Sequence, residues 1–164
     1  MVPFAHLHVA SAFSLRYGAS MPDALVARAV EHGQPALALT DRDGAYGAVR
    51  FALACAEAGI GCVLGVDLAL DGQALDVGGA GWPMPPAARP PSTGVPRTPL
   101  RGGAWVDPRH PRAVLLARDR RGWSSLCRLI SAMHADADDA PAATWEQVAA
   151  HSDGVVALLG PESP

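Results

Sequence analysis

The chain has 164 residues and a formal net charge of −3 with histidine neutral, and 49% of its residues are apolar. This composition favours a folded, soluble domain with a sizeable core, and it excludes the basic face of a stand-alone DNA-binding domain. The three cysteines form no CxxC pair, which argues against a disulfide framework or a cysteine zinc site and favours a reducing, cytoplasmic location.

Short apolar strands alternate with helices in the first part of the chain. The pattern predicts strands over 4–9, 36–40 and 61–66, and helices over 22–32 and 46–58. Pro22 suits the first turn of a helix, and Gly33 and Gly59 are typical helix ends. This alternation favours an α/β fold built on a parallel sheet or barrel.

Residues 71–112 interrupt the pattern because they are dense in proline and glycine, which disfavour both helices and strands. We expect a flexible surface insertion there. Order is expected to return as a strand over 113–117, a helix over 119–133, an acidic loop over 135–142, a capping box from Thr144 to Gln147 that starts a short helix, and a strand over 154–159. A last strand without a following helix predicts that the chain is part of a longer barrel.

Five residues are candidates for chemistry. His6 and His8 lie two apart on a predicted strand, so both rings share one face and could bind one cation. Asp41, Asp43 and Asp67 follow the next two strands, whose carboxyl ends meet at one edge. The alternatives are two unrelated histidines, and aspartates that serve turns or helix caps.

Four blocks resemble the polymerase-and-histidinol-phosphatase (PHP) domain of the bacterial DNA polymerase III alpha subunit. In chain order they read FAHLHVASAFSLRYGA, PALALTDRDGAYGAVRFALACAEAGIGCVLGVDL, AVLLARDRRGWSSLCRLIS and HSDGVVALLG. The resemblance covers most of residues 1–164 outside the insertion. It implies the N-terminal part of a distorted seven-stranded α/β barrel, and hence an incomplete PHP domain.

The resemblance also implies a site for two or three metal ions, of which few ligands remain. His6 and His8 match the family's HxH motif, and Asp67 stands where a glutamate closes the third strand. These three residues are the residual ligands if zinc or manganese binds. No cofactor is otherwise expected in this chain.

The other ligand positions are replaced. Ala10 and Tyr17 stand in the first block where the family has a histidine and an aspartate, and Arg42 replaces the histidine of the TDH motif. Arg112 replaces a histidine at the next strand, although His110 is nearby, and Pro161 replaces a cysteine.

Arg42 is the replacement with the clearest physical consequence. A guanidinium carries only donors, so it cannot ligate a metal ion. We hypothesise that Arg42 supplies the lost positive charge and pairs with Asp67, Asp41 or Asp43. An exposed loop arginine is the alternative.

The resemblance implies a structural PHP domain within a DNA-directed DNA polymerase, a nucleotidyltransferase of DNA replication or damage-induced repair synthesis. The magnesium-dependent polymerase site would lie elsewhere in that chain. The expected partners are the remainder of the polymerase chain and an exonuclease or other replisome subunit, with DNA held by other domains. No membrane contact is expected, since no apolar run approaches the roughly 20 residues of a membrane helix. The alternatives are a stand-alone metal-dependent phosphoesterase and a decayed gene fragment.

Overall fold

The computed structural model describes residues 4–71, 111–135 and 141–158. In chain order its elements are α1 (Pro22–Glu31), β1 (Ala36–Arg42), α2 (Ala48–Ala58), β2 (Gly61–Ala69), β3 (Arg112–Ala117), α3 (Arg120–Ala135), α4 (Trp145–Ala150) and β4 (Val155–Leu158). Every helix expected from the sequence is present, within a few residues of its expected bounds. Residues 72–110, where most of the expected insertion falls, lie outside the described ranges.

The four strands form one mixed sheet in the order β1-β2-β3-β4. β1 and β2 are parallel, whereas β3 is antiparallel to both β2 and β4. The expectation of a parallel sheet is therefore wrong beyond β2. Two helices, α3 and α4, separate β3 from β4. Because β4 is antiparallel to β3, it begins at the end of the sheet where β3 ends, with Val155 opposite Ala117.

The segment expected as a strand over 4–9 is not one. It lies along β1, but it forms only an isolated parallel bridge between His6 and Leu37. The amide of Ala38 donates to the carbonyl of His6 at 2.9 Å, and that of Thr40 donates to the carbonyl of Val9 at 2.8 Å. The segment is thus attached to the edge of the sheet without completing a ladder.

Both larger core clusters lie on the face of the sheet that carries the helices. One joins β1 to α1 and α2 around Leu39 and Phe51. The other joins β2 and β3 to α3 around Val66 and Leu126. Because strand side chains alternate, the intervening residues point to the opposite face, where a small cluster includes Val114.

Candidate functional site

Three charged side chains share the face of the sheet that carries no described helix. Arg42 ends β1 and is in register with Asp67 of β2, while Arg112 begins β3 opposite Ala69. Alternation along each strand turns these three side chains to the same side. Strand register therefore brings together residues that are far apart in the sequence.

Asp67 is the centre of this group, and its side chain is only 6% exposed. Arg112 Nε donates to Asp67 Oδ1 at 2.9 Å, and Arg112 Nη2 donates to the Asp67 carbonyl at 2.7 Å. On the other carboxylate oxygen, Oδ2, Arg42 Nη1 lies at 3.6 Å and His8 Nε2 at 3.5 Å. Both carboxylate oxygens of Asp67 thus face cationic or hydrogen-bonding nitrogens of the protein itself.

Asp43 joins the group from the turn after β1. Its φ of 52° is in the left-handed region, which aspartate tolerates better than most residues. Asp43 Oδ1 accepts from Arg112 Nη2 at 3.0 Å and from the amide of Ala69 at 2.8 Å. The carbonyl of Asp43 lies 2.6 Å from His134 Nε2 at the end of α3. Arg112 therefore bridges Asp67 and Asp43.

We call His8, Arg42, Asp43, Asp67 and Arg112 the arginine–aspartate cluster. Its two arginines balance its two aspartates, so the fixed charges cancel. No buried side-chain nitrogen or oxygen lacks a hydrogen-bond partner in the part of the chain that the structure describes. Such a network holds its groups in place.

The aromatic ring of Tyr17 packs against the guanidinium of Arg42. The guanidinium carbon of Arg42 lies 3.7 Å from the centroid of the Tyr17 ring, a cation–π contact. The amide of Arg42 donates to Ser14 Oγ at 2.9 Å. The Arg42 side chain is 18% exposed, so it does not project into solvent as a loop arginine would.

Asp41 lies apart from the cluster because strand alternation turns it to the other face of β1. It is 1% exposed. Its carboxylate accepts from the amide and hydroxyl of Ser11 and from the hydroxyl of Ser14, at 2.7 to 2.9 Å. Asp41 thus anchors the loop before α1, and the structure does not bring it to Arg42 or Asp67.

The remaining candidate positions lie at the margin. His6 is exposed, and its ring makes an edge contact with Phe4 at 4.8 Å between centroids. Ala10 is in the same segment, while Pro161 and His110 lie outside the described residues. Within those described, no group of three or more His, Cys, Asp or Glu residues is arranged to hold a metal ion.

Sequence reasoning did not anticipate two contacts. Arg112 was expected only as a replaced ligand, because its pairing with Asp67 follows from the antiparallel register of β3. His134 was not a candidate, since an isolated histidine near a helix end carries no sequence signal.

Among described helices, none is long and apolar enough to cross a membrane.

Comparison with known proteins gives a family match. A model of the PHP domain matches residues 6–163. An error-prone DNA polymerase of Nocardia farcinica is 40% identical over an alignment of 148 positions, and the match covers 81% of this chain and 12% of that protein. One from Corynebacterium efficiens is 51% identical over 76 residues, covering 46% of this chain and 7% of that protein. The chain therefore spans a small fraction of the curated relatives that it matches.

A looser likeness exists to a solved amidohydrolase from Chromobacterium violaceum. That structure is 21% identical with a TM-score of 0.47, and the match covers 80% of this chain and 32% of that chain.

Proposed function

The chain belongs to the PHP-domain family, and from that premise we propose that it is the structural PHP domain of an error-prone type of DNA polymerase III alpha chain. Its relatives at 40% and 51% identity are named as error-prone DNA polymerases. In this proposal the nucleotidyl transfer belongs to other parts of the polymerase. The domain supports that chain and performs no hydrolysis.

The observation that carries the proposal is that Asp67 pairs with two arginines. Arg112 Nε and Arg42 Nη1 lie 2.9 and 3.6 Å from its two carboxylate oxygens. A divalent cation would have to displace both guanidinium groups, which carry only donors and repel it. The described residues around Asp67 therefore do not fit a metal ion. We infer that the two arginines supply the positive charge that a metal cluster would supply in the family.

A permanently charged cluster suits a supporting role. Through Arg112, Asp43 and Asp67, the cluster links β1, β2 and β3, and His134 attaches α3 to the same turn. An arginine pair supplies positive charge without depending on metal supply. The partners proposed are the remaining polymerase chain and an exonuclease or other replisome subunit, with DNA bound by other domains.

Metal titration tests the charge replacement. We would measure the melting temperature of the chain with increasing Mn²⁺, since a ligand that binds only the folded state raises it. The wild-type chain should show no shift. Arg42→His with Arg112→His restores two imidazoles beside Asp67 and should produce a Mn²⁺-dependent increase, whereas Arg28→His, at a surface ion pair, should not.

A hydrolysis assay, read together with this titration, distinguishes the proposal from the phosphoesterase alternative. We would assay hydrolysis of p-nitrophenyl phosphate by the wild-type chain in Mn²⁺ or Zn²⁺. Metal-dependent turnover that disappears in His8→Ala would contradict a structural role and favour a stand-alone enzyme. Absence of turnover together with an unchanged melting temperature is the result that the proposal requires.

The polymerase context needs a separate test. In a chimera, this chain would replace the matched region of the Nocardia farcinica polymerase. Primer extension by the chimera, and its loss when the region is deleted, would support a structural domain of such a polymerase. A chimera that folds but does not require this region would count against it.

A further inference from the structure

Helix α2 is apolar on both sides. Its inner side packs into the core through the buried residues Ala48, Phe51 and Cys55. On the outer side Val49 is 74% exposed and Leu53 is 68% exposed. A helix that is apolar all round is normally buried on all sides, whereas a surface helix carries polar residues outward.

The outer residues continue along one stripe. Val49, Leu53 and Ala56 follow at spacings of four and three residues, all exposed, and Tyr46 precedes the helix with 67% exposure. We call these four residues the α2 face. Contiguous exposed apolar patches mark interaction sites, whereas apolar side chains scattered singly over a surface are ordinary.

Helix α2 has two charged residues, Arg50 and Glu57. Glu57 follows Leu53 by four residues and so lies at the end of the stripe. Arg50 Nε pairs with Asp23 Oδ1 of α1 at 3.0 Å, so its guanidinium is directed toward the neighbouring helix. The charge at this position stabilises the α1–α2 pair and leaves the α2 face apolar.

We infer that the α2 face packs against an apolar helical surface in the remainder of the polymerase chain. This inference rests on the proposed function and names the contact through which the domain is held. The matched region is only 12% of the Nocardia farcinica polymerase, so most of such a chain lies outside it and can supply the covering surface. A stripe about two turns long suits ridge-and-groove packing against one helix.

The test compares the same substitutions in two settings. Val49→Lys with Leu53→Lys would be made in the isolated chain and in the chimera with the Nocardia farcinica polymerase. Lysine is at least as good a helix former as valine, so an exposed site tolerates the change. Val30→Lys on α1, at a valine that is 45% exposed, is the matched control.

The double variant should leave the melting temperature of the isolated chain unchanged, lower that of the chimera by several degrees and reduce primer extension. The Val30→Lys control should change neither. A photo-crosslinker at position 53 should capture residues of the polymerase beyond the matched region. An unaffected chimera would overturn the inference, as would a crosslink to residues 72–110 or to a second copy of the chain.

The wild-type chimera distinguishes a failure of the interface inference from a failure of the proposed function. If it extends primers and the double variant does so equally well, the α2 face is not the interface although the proposed function stands. If the wild-type chimera fails while the isolated chain folds, the proposed function fails and the interface inference with it.

Discussion

Asp67 depends on its partners because its carboxylate is nearly removed from water. Desolvating a charge is costly, and the cost is offset only when the charge is paired and hydrogen-bonded. Arg112 meets this need with three contacts, at Asp67 Oδ1, the Asp67 carbonyl and Asp43 Oδ1. Arg42 Nη1, at 3.6 Å, is the more distant of the two arginines. Arg112 is therefore the residue whose loss should affect stability most.

We predict that Arg112→Met lowers the free energy of unfolding by roughly 3 kcal/mol, because it leaves two carboxylates beside an apolar chain. Urea unfolding followed by circular dichroism would measure the change. Arg28→Met is the control, since the Arg28–Glu31 pair is exposed on both sides. Its loss should cost less than about 0.5 kcal/mol. Equal losses of unfolding free energy in the two variants would show that the contacts of Arg112 stabilise the fold no more than a surface ion pair does.

The cysteines should differ in reactivity for a reason visible in their surroundings. Burial raises the pKa of Cys55 to about 12. Protein atoms that displace water from the sulfur also raise the pKa of Cys62, although that residue is exposed. Because the thiolate is the reactive species, a raised pKa leaves less of it at pH 8.

We therefore predict that iodoacetamide labels Cys62 before Cys55 in the folded chain, and that Cys62 itself reacts more slowly at pH 8 than a free cysteine. The rate at Cys62 should rise further between pH 8 and pH 9 as more thiolate forms. Mass spectrometry of the labelled peptides gives both rates. Labelling of Cys55 as fast as Cys62 would contradict the buried position of Cys55.

At the scale of elements, sequence signals succeeded where they are local. The Pro22 start of α1 and the capping box at Thr144 are both present, the latter with Gln147. The segment over 4–9 has the alternation of a strand, yet whether a strand forms depends on a continuous partner ladder. That information lies in the arrangement of the chain against β1 and not in the segment itself.

The arginine–aspartate cluster was also predictable only in part. Arg42 ends β1, and Asp67 is its register partner on the neighbouring parallel strand β2, so their proximity could be expected from the β–α–β order. Asp41 was expected beside them, but alternation along β1 separates it from Arg42 by a face of the sheet. The role of Arg112 required the antiparallel register of β3, for which the residues between β2 and β3 carry no signal.

The contact between α3 and the turn before β4 is unusually close. A Cβ on Gly122 would lie 2.0 Å from the Gly154 carbonyl oxygen, which is backbone and cannot rotate away. The same carbonyl accepts from the amide of Arg118 at 2.9 Å. Glycine at position 122 is therefore what allows the start of α3 to approach β4.

We predict that Gly122→Ala destabilises the chain by about 1–3 kcal/mol, the usual cost of overpacking, and speeds hydrogen exchange at the Arg118 amide. Gly33→Ala is the control: Gly33 has a φ of +65° but nothing within 4 Å of an added Cβ. It should cost about 1–2 kcal/mol through backbone strain alone and leave the Arg118 amide protected. Unchanged exchange at Arg118 in Gly122→Ala would refute the role of this contact.

On the scale of the whole molecule, the two main core clusters share one sheet. The cluster around Phe51 packs on β1, and that around Leu126 packs on β2 and β3. β1 and β2 are joined by a continuous parallel register from Ala36 and Gly61 to Arg42 and Asp67. The arginine–aspartate cluster ties the same strands at one end. Unfolding of either core cluster, around Phe51 or around Leu126, should therefore expose the edge of the other core cluster.

We predict that the described residues unfold as one cooperative unit. Cys55 lies in the Phe51 cluster, and Cys127 is partly buried on α3, so alkylation of these thiols reports the two sides separately. Pulses of iodoacetamide at increasing urea should give the same midpoint at both cysteines. Phe51→Leu, which leaves a gap only in the first cluster, should lower the free energy of unfolding by roughly 1–3 kcal/mol and so lower both urea midpoints together. If the Cys55 midpoint alone moves, the two clusters are independent, and the shared strands together with Arg112 do not couple them.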